Sequence, residues 1–270
     1  MTASSSPSSP GSSSAHVDQE PVLAGAEPWS HIGSSRFGAL CIHGFTGNPS
    51  SMRGVAEAFA AAGLHVELPR LPGHGTAVSD MIPTRWSHWT AEVESAYQRL
   101  AARCDRVVVA GLSMGGSLTL WTALQHPDVA GIVCINPAAQ PQAPEVVEMV
   151  EEMIASGTEL MPGIGSDIAD PDVVEISYPE TPLRSLLSLV QDGVTPMLER
   201  YATSRVPMLL ITSRNDHVVD PIQSDQLAEQ WGGPVERILL DRSYHVATQD
   251  YDKDLIFSAA VAFAERVLGS

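Results

Sequence analysis

From about Arg36 to the C-terminus, short runs rich in Val, Ile and Leu alternate with longer stretches whose apolar residues recur at helical spacing. "FGALCIHG", "LHVELPR", "RVVVAG", "VAGIVCINP", "VPMLLITS" and "PVERILLD" read as strands. Between them, "SSMRGVAEAFAAAG", capped by Ser and closed by Gly63, "TRWSHWTAEVESAYQRLAARC", "MGGSLTLWTALQH", "DPIQSDQLAEQW" and "YDKDLIFSAAVAFAERVL" read as helices. Parallel strands cannot be joined by tight hairpins and need crossover connections. The alternation therefore specifies an α/β fold, with a mostly parallel central sheet and helices on both faces.

The rhythm breaks between residues 138 and 204, where Pro recurs and "PEVVEMVEEMIASG" sets Val146, Met149, Val150 and Met153 opposite Glu145, Glu148, Glu151 and Glu152. This interval reads as an insertion in a domain spanning 31–270. Its amphipathic helix is either an ordinary surface helix resting on the core or part of a cover over a pocket, and the stripe alone favours the first. Residues 1–30 open with "MTASSSPSSPGSSSAHVDQE", a Ser/Pro/Gly composition that buries too little apolar surface to offset its ordering entropy. They read as a flexible tail.

A net charge of −17, with only 15 scattered Lys and Arg, excludes a nucleic-acid partner, because phosphate binding needs clustered cations. No apolar run approaches the roughly 20 residues of a membrane span. The N-terminus has neither the basic start nor the apolar core of a secretory signal, which points to the cytoplasm. Cys41, Cys104 and Cys134 are odd in number and lack metal-ligand spacing, so they read as reduced thiols with no metal expected.

Gly111-Leu112-Ser113-Met114-Gly115 places a serine between a strand and a helix. Such a turn projects the hydroxyl above the C-terminal edge of a sheet, and the flanking glycines leave room for the tight backbone. A serine needs a base and a carboxylate orienter, in the order Ser, Asp, His for this arrangement. "RNDHVVD" after one strand offers Asp216, preferred over the helix-capping Asp220, and "RSYHVATQD" after the last strand offers His245. Acyl transfer also needs oxyanion donors. The Met114 N–H follows the nucleophile, and the loop "CIHGFTGNPSS" offers the Phe45 N–H. "LPGHG" reads as a tight turn shaping the pocket rim, His217 beside Asp216 as candidate polar lining, and the remaining histidines as surface or satisfied core residues.

"HGFTG", "LPRLPGHGT", "GLSMGG", "IGSD", "RNDHVV" and "SYHVAT" together resemble the bacterial monoacylglycerol lipases and the related thermostable carboxylesterases, over about Phe37 to Leu268. The resemblance implies an α/β-hydrolase core with a small cap, no cofactor, a Ser113-Asp216-His245 triad and a lipid ester as substrate. It also implies that Glu175 and Ile164 line the glycerol end of the pocket. "AAQPQAPEVVEMVEEMIASGTELM" departs most from the family pattern. An acyl chain is expected along Met149, Met153, Leu160 and Ile164. The alternatives are a generalist short-chain carboxylesterase and a ligand-binding receptor of the same fold.

Overall fold

The computed structural model describes residues 18–163 and 165–269. Six strands of the central sheet are β2 (Phe37–Ile42), β3 (His65–Leu68), β4 (Arg106–Leu112), β5 (Gly131–Ile135) and, beyond the inserted interval, β8 (Met208–Ser213) and β9 (Val235–Leu240). With β1 (Trp29–His31) they form a seven-stranded sheet in the order β1-β3-β2-β4-β5-β8-β9, parallel throughout except for β1, which runs antiparallel to β3. The expected α/β-hydrolase class is thus realised.

The two-residue period of the strands builds a core on each face. Leu40, Ile42, Val107, Val109, Ile132, Cys134, Met208 and Leu210 face one cluster, which holds Trp89, Val93 and Leu100 of α3 (Trp86–Ala101) and Leu118 and Leu120 of α4 (Met114–Gln125). Their neighbours in sequence, Ala39, Cys41, Val108, Ala110, Val133, Ile135, Leu209 and Ile211, face the other, with Val55 and Phe59 of α1 (Arg53–Ala61) and Ile256 and Phe263 of α9 (Lys253–Gly269). Because apolar residues continue on both faces, these strands read as unbroken hydrophobic runs, as covered parallel strands do.

Two local expectations are corrected. The turn ahead of α1 is a 3-10 segment, Pro49–Met52, capped by Asn48 rather than by a serine: Asn48 Oδ1 accepts from Ser50 N at 2.9 Å. Closure at Gly63 is as expected, with φ +88°. The flexible tail expected over 1–30 does not extend through its last part. Gln19 and Glu20 donate their amides to the Asp80 carboxylate, and Asp18 pairs with Arg70 at 2.6 Å while accepting from Gly73 N. Ala26 is fully buried, and β1 pairs with β3. Carboxylates and backbone bonds hold this arm where composition offered little apolar surface. Residues 1–17 lie outside the described part.

Between β5 and β8 the chain forms α5 (Pro144–Ala155), a two-stranded antiparallel ribbon of β6 (Leu160–Pro162) and β7 (Glu180–Pro182), α6 (Leu183–Ser188), a π-helical turn over Leu189–Val194, and α7 (Thr195–Met197). Ten of the twelve residues of α4 are buried, as its apolar surroundings on every side require: the sheet lies on one side and the π-helical turn contacts it as well. Among the described residues no helix is long and apolar enough to cross a membrane.

The junction of β4 and α4 is the tightest point of the sheet's upper edge. A Cβ on Gly115 would stand 2.1 Å from Ile42 O, and one on Gly111 2.1 Å from Gly115 O, both fixed backbone atoms. Gly115→Ala is therefore expected to destabilise the fold by about 2 kcal/mol or more, in the manner of overpacked cores, measured as a lowered chemical-denaturation midpoint at unchanged slope; a midpoint equal to wild type would contradict this packing.

Candidate active site

Ser113 occupies that junction with φ +57° and ψ −119°, a backbone conformation outside the regions favoured by residues that carry a Cβ. The turn is fixed from below: Ser113 N donates to Ile135 O at 3.0 Å, and Ser113 O accepts from Ser117 N and Ala138 N at 3.2 and 3.3 Å. Met114 then opens α4, where the first N–H groups have no acceptor within the helix and the dipole favours negative charge.

Asp216 lies on the loop after β8 and His245 on the loop after β9, so both hang over the same edge of the sheet. His245 Nδ1 lies 2.8 Å from Asp216 Oδ2, and the two side chains are only 8% and 2% exposed. The other carboxylate oxygen, Oδ1, accepts from the amides of Val218 and Val219, each at 2.8 Å, which fixes the orientation of Asp216. This bonding assigns Nδ1–H to the Asp216 side of the ring, and Ser113 and His245 both line one cavity. The competing residues sit elsewhere. Asp220 accepts from Ile222 N at the start of α8 (Ile222–Gln230), and Asp241 pairs with Arg214 on the surface. His65 bonds Ser35 O, His88 bonds the Arg85 amide, and His126 pairs with Glu94 and stacks on Tyr97.

Across from His245 the loop after β2 runs close to the nucleophile: a Cβ on Gly44 would lie 3.3 Å from Ser113 Cβ. His43 shapes this loop, its Nδ1 bonding Gly44 O at 2.9 Å and its Nε2 accepting from Leu71 N at 3.1 Å. Burial, reinforced by the neighbouring His74, holds His43 well below the usual histidine range. Burial likewise brings His74 down to about 4, so two neutral rings stack edge to face at 5.1 Å. Phe45 packs edge-on against Trp89 and His74. The "LPGHG" turn thus buttresses the Gly44-Phe45 segment from behind.

A cavity of about 310 Å³ opens above these residues. Its apolar walls come from the inserted interval: Val146, Val147 and Val150 of α5, Met161 of β6, Leu186 and Leu187 of α6, and Leu189, Val190 and Val194 of the π-helical turn. Met149, Met153 and Leu160, expected along the acyl chain, are not among the wall residues, and Met149 is 52% exposed. Of the expected stripe, Val146 and Val150 do reach the cavity, joined by Val147, whereas Met149 and Met153 do not line it. Ile164 lies outside the described residues.

Glu175 does line the cavity, from an irregular segment rather than from a helix. Its Oε1 lies close to Gly47, where an added Cβ would stand 3.0 Å away. Burial pushes its carboxyl up to about 7, against the opposing influences of His245 and of a bond from Ser177. Among the described residues no group of three or more His, Cys, Asp or Glu is arranged to hold a metal ion.

Two residues around His245 escaped the sequence reading. Asp167, within the quoted "IGSD", accepts from His245 N at 3.0 Å and from His217 N at 3.2 Å through Oδ2. Asn136 follows β5 with φ +42° and donates from Nδ2 to His245 O at 2.8 Å. The only sequence signals were the presence of "IGSD" among the family-like stretches and of "INP" at the end of an apolar run.

A family model described as serine aminopeptidase, S33, matches residues 36–252. The chain is 42% identical over 258 residues to the thermostable monoacylglycerol lipase of Bacillus sp. (strain H-257), covering 93% of this chain and 99% of the relative. A structure reported for the metagenome-derived lipolytic enzymes LipS and LipT superposes with a TM-score of 0.86 at 42% identity, covering 91% of this chain and all of the other. The monoacylglycerol lipase of Paleococcus ferrophilus shares the fold, with a TM-score of 0.72 at 16% identity over 89% of this chain and 99% of that one. With the sheet, the elbow and the inserted cavity already in place, these matches make the chain a member of the serine aminopeptidase S33 family of α/β-hydrolases.

Proposed function

We propose that the protein is a serine hydrolase that cleaves monoacylglycerols to fatty acid and glycerol. The observation that carries this reading is a single cavity lined by Ser113, His245, apolar cap residues and the carboxyl of Glu175, with Asp167 also at its wall. The similarity to the Bacillus lipase over nearly the whole chain supports it.

In this mechanism His245 Nε2 takes the proton of Ser113 Oγ as the oxygen attacks the ester carbonyl. Asp216 keeps the ring in the tautomer with Nδ1–H and stabilises the imidazolium. The N–H groups of Met114 and Phe45 receive the oxyanion, each donor contributing roughly 3 to 4 kcal/mol in comparable sites. His245 then protonates the departing glycerol oxygen, leaving the acyl group on Ser113. Water repeats the sequence, with His245 as base, and releases the fatty acid. The acyl chain lies against Val147, Val150, Leu186 and Val194.

Glu175 supplies the polar end. With its carboxyl pushed up to about 7, it is protonated in part near neutrality and can both donate to and accept from a glycerol hydroxyl. A carboxyl in this state suits a neutral polyol better than the ammonium group of a peptide substrate.

Initial rates on monolauroylglycerol test the reading. Ser113→Ala is expected to abolish turnover and Asp216→Asn to lower kcat by about four orders of magnitude, with far-UV spectra unchanged; turnover of amino-acid amides faster than of the ester would reject the substrate class. Glu175→Ala, which removes both donor and acceptor, is expected to raise KM for monolauroylglycerol about tenfold, the equivalent of one hydrogen bond to a charged or polar partner, while KM for p-nitrophenyl acetate stays the same.

The same carboxyl has a stability signature. Its value is raised in the folded state, so its ionisation opposes folding: the wild type matches Glu175→Gln below about pH 4.5 and loses stability relative to it as pH rises through about 7. Paired thermal melts at pH 5 and pH 8 measure this, and a gap that shrinks with rising pH would contradict the burial of Glu175.

A further inference from the structure

The peptide of His245 is gripped at both ends by residues that belong to neither the triad nor the oxyanion loop. On one side Asp167, only 12% exposed, reaches in from the cap. Its Oδ2 accepts from His245 N and His217 N, its Oδ1 lies 2.8 Å from His217 Nδ1, and its backbone carbonyl accepts from Val246 N at 3.1 Å. On the other side Asn136, 2% exposed, rises from the end of β5. Its Nδ2 donates to His245 O at 2.8 Å and to Ser213 Oγ at 3.0 Å, and its Oδ1 accepts from Ser213 N at 2.7 Å.

We propose that Asp167 and Asn136 are positioning residues that clamp the His245 peptide between cap and core, and so hold the imidazole in line with Asp216 and Ser113. The inference rests on His245 acting as the base. The physical reason for such a clamp is that His245 sits on a loop, whose backbone would otherwise move freely. A base must stay within hydrogen-bond reach of its proton, and a misplacement of 1 Å typically lowers rates about a hundredfold. Asp216 alone fixes one ring nitrogen and leaves the ring free to swing about that bond. Holding the backbone on both sides of Cα removes that freedom.

The left-handed backbone of Asn136 fits this role. Asn tolerates positive φ better than other residues that carry a Cβ, yet it remains a departure from ordinary geometry. Here the departure aims the carboxamide at the ends of two neighbouring loops, the one after β8 through Ser213 and the one after β9 through His245. Asp167 joins the same two loops from above, through His217 and His245. The exposed pair of His217 Nδ1 with Asp167 is incidental: His217 is 58% exposed, whereas the two backbone amides reach the other carboxylate oxygen.

The test measures kcat and KM for Asp167→Ala, Asp167→Asn and His217→Ala on both monolauroylglycerol and p-nitrophenyl acetate. It also records the downfield proton resonance of His245 Nδ1, a signal that needs no substrate. Asp167→Ala is expected to lower kcat about thirtyfold or more on both esters, with KM within twofold, and to broaden or shift the Nδ1 resonance. Asp167→Asn, whose carbonyl oxygen still accepts from both amides, should restore kcat to within about threefold of wild type. His217→Ala, which keeps its own amide, should leave kcat unchanged. If Asp167→Ala does not fold, Asp167→Ser, whose hydroxyl cannot span both amides, takes its place. An unchanged kcat and resonance in the Ala or Ser variant overturns the clamp, as does a defect confined to monolauroylglycerol and expressed in KM, which would make Asp167 a substrate contact. Should wild type turn over neither ester while the Nδ1 resonance still responds to Asp167, the clamp stands and the ester reading falls.

Discussion

The close approach of α4 to the end of β4 is the constraint on which the site depends. Helix and strand meet with no room for a Cβ at Gly111 or Gly115, and Ser113 takes an unfavourable backbone conformation to join them. Such strain survives only where the surroundings over-determine it. Here they do so through Ile135 O, through the Ser117 and Ala138 amides on the serine carbonyl, and through the parallel pairing that sets Gly111 beside Ile42 and Cys134. The other proposed participants then arrive at the same edge because each follows a strand of the same parallel sheet. The direction shared by β2, β4, β8 and β9 collects residues distant in sequence above a single serine.

That shared direction explains why so much was legible in advance. A strand covered on both faces reads as an uninterrupted apolar run, and residues such as Asp216 and His245 stand out as the polar groups that follow one. The serine announced itself through its glycines, which are a steric requirement rather than a matter of composition. Helix-borne histidines were separable for the same reason, since a ring on α3 or at the end of α4 has a neighbour within its own layer, as His126 has Tyr97 and Glu94.

What the sequence concealed depends on single polar contacts across long separations. The arm from Asp18 to His31 has the composition of a tail, and its order comes from Asp80, Arg70 and the edge of β3. Asp167 and Asn136 carry no periodicity, and their partners are backbone amides and carbonyls that any sequence would provide. The cap misled for a different reason. Helix α5 has apolar residues on two adjoining edges, and spacing alone does not say which edge turns inward when the helix rests on a hollow rather than on a solid core.

The cap also divides into parts with different duties. Between Ser166 and Tyr178 the chain is stitched on both flanks to the loops that carry His245 and Phe45. The Ala169 and Asp170 amides donate to the Asp250 carboxylate beneath the His245 loop, and Tyr178 donates from its amide to Thr46 O and from its hydroxyl to Gly73 O beside the Phe45 loop. The walls of the cavity come largely from either side of this stitched stretch, from α5 and from α6 with the π-helical turn. Substitutions in those flanking helices therefore reshape the hollow while leaving the contacts to the His245 and Phe45 loops in place. The middle of the cap anchors, and its two shoulders give the hollow its shape.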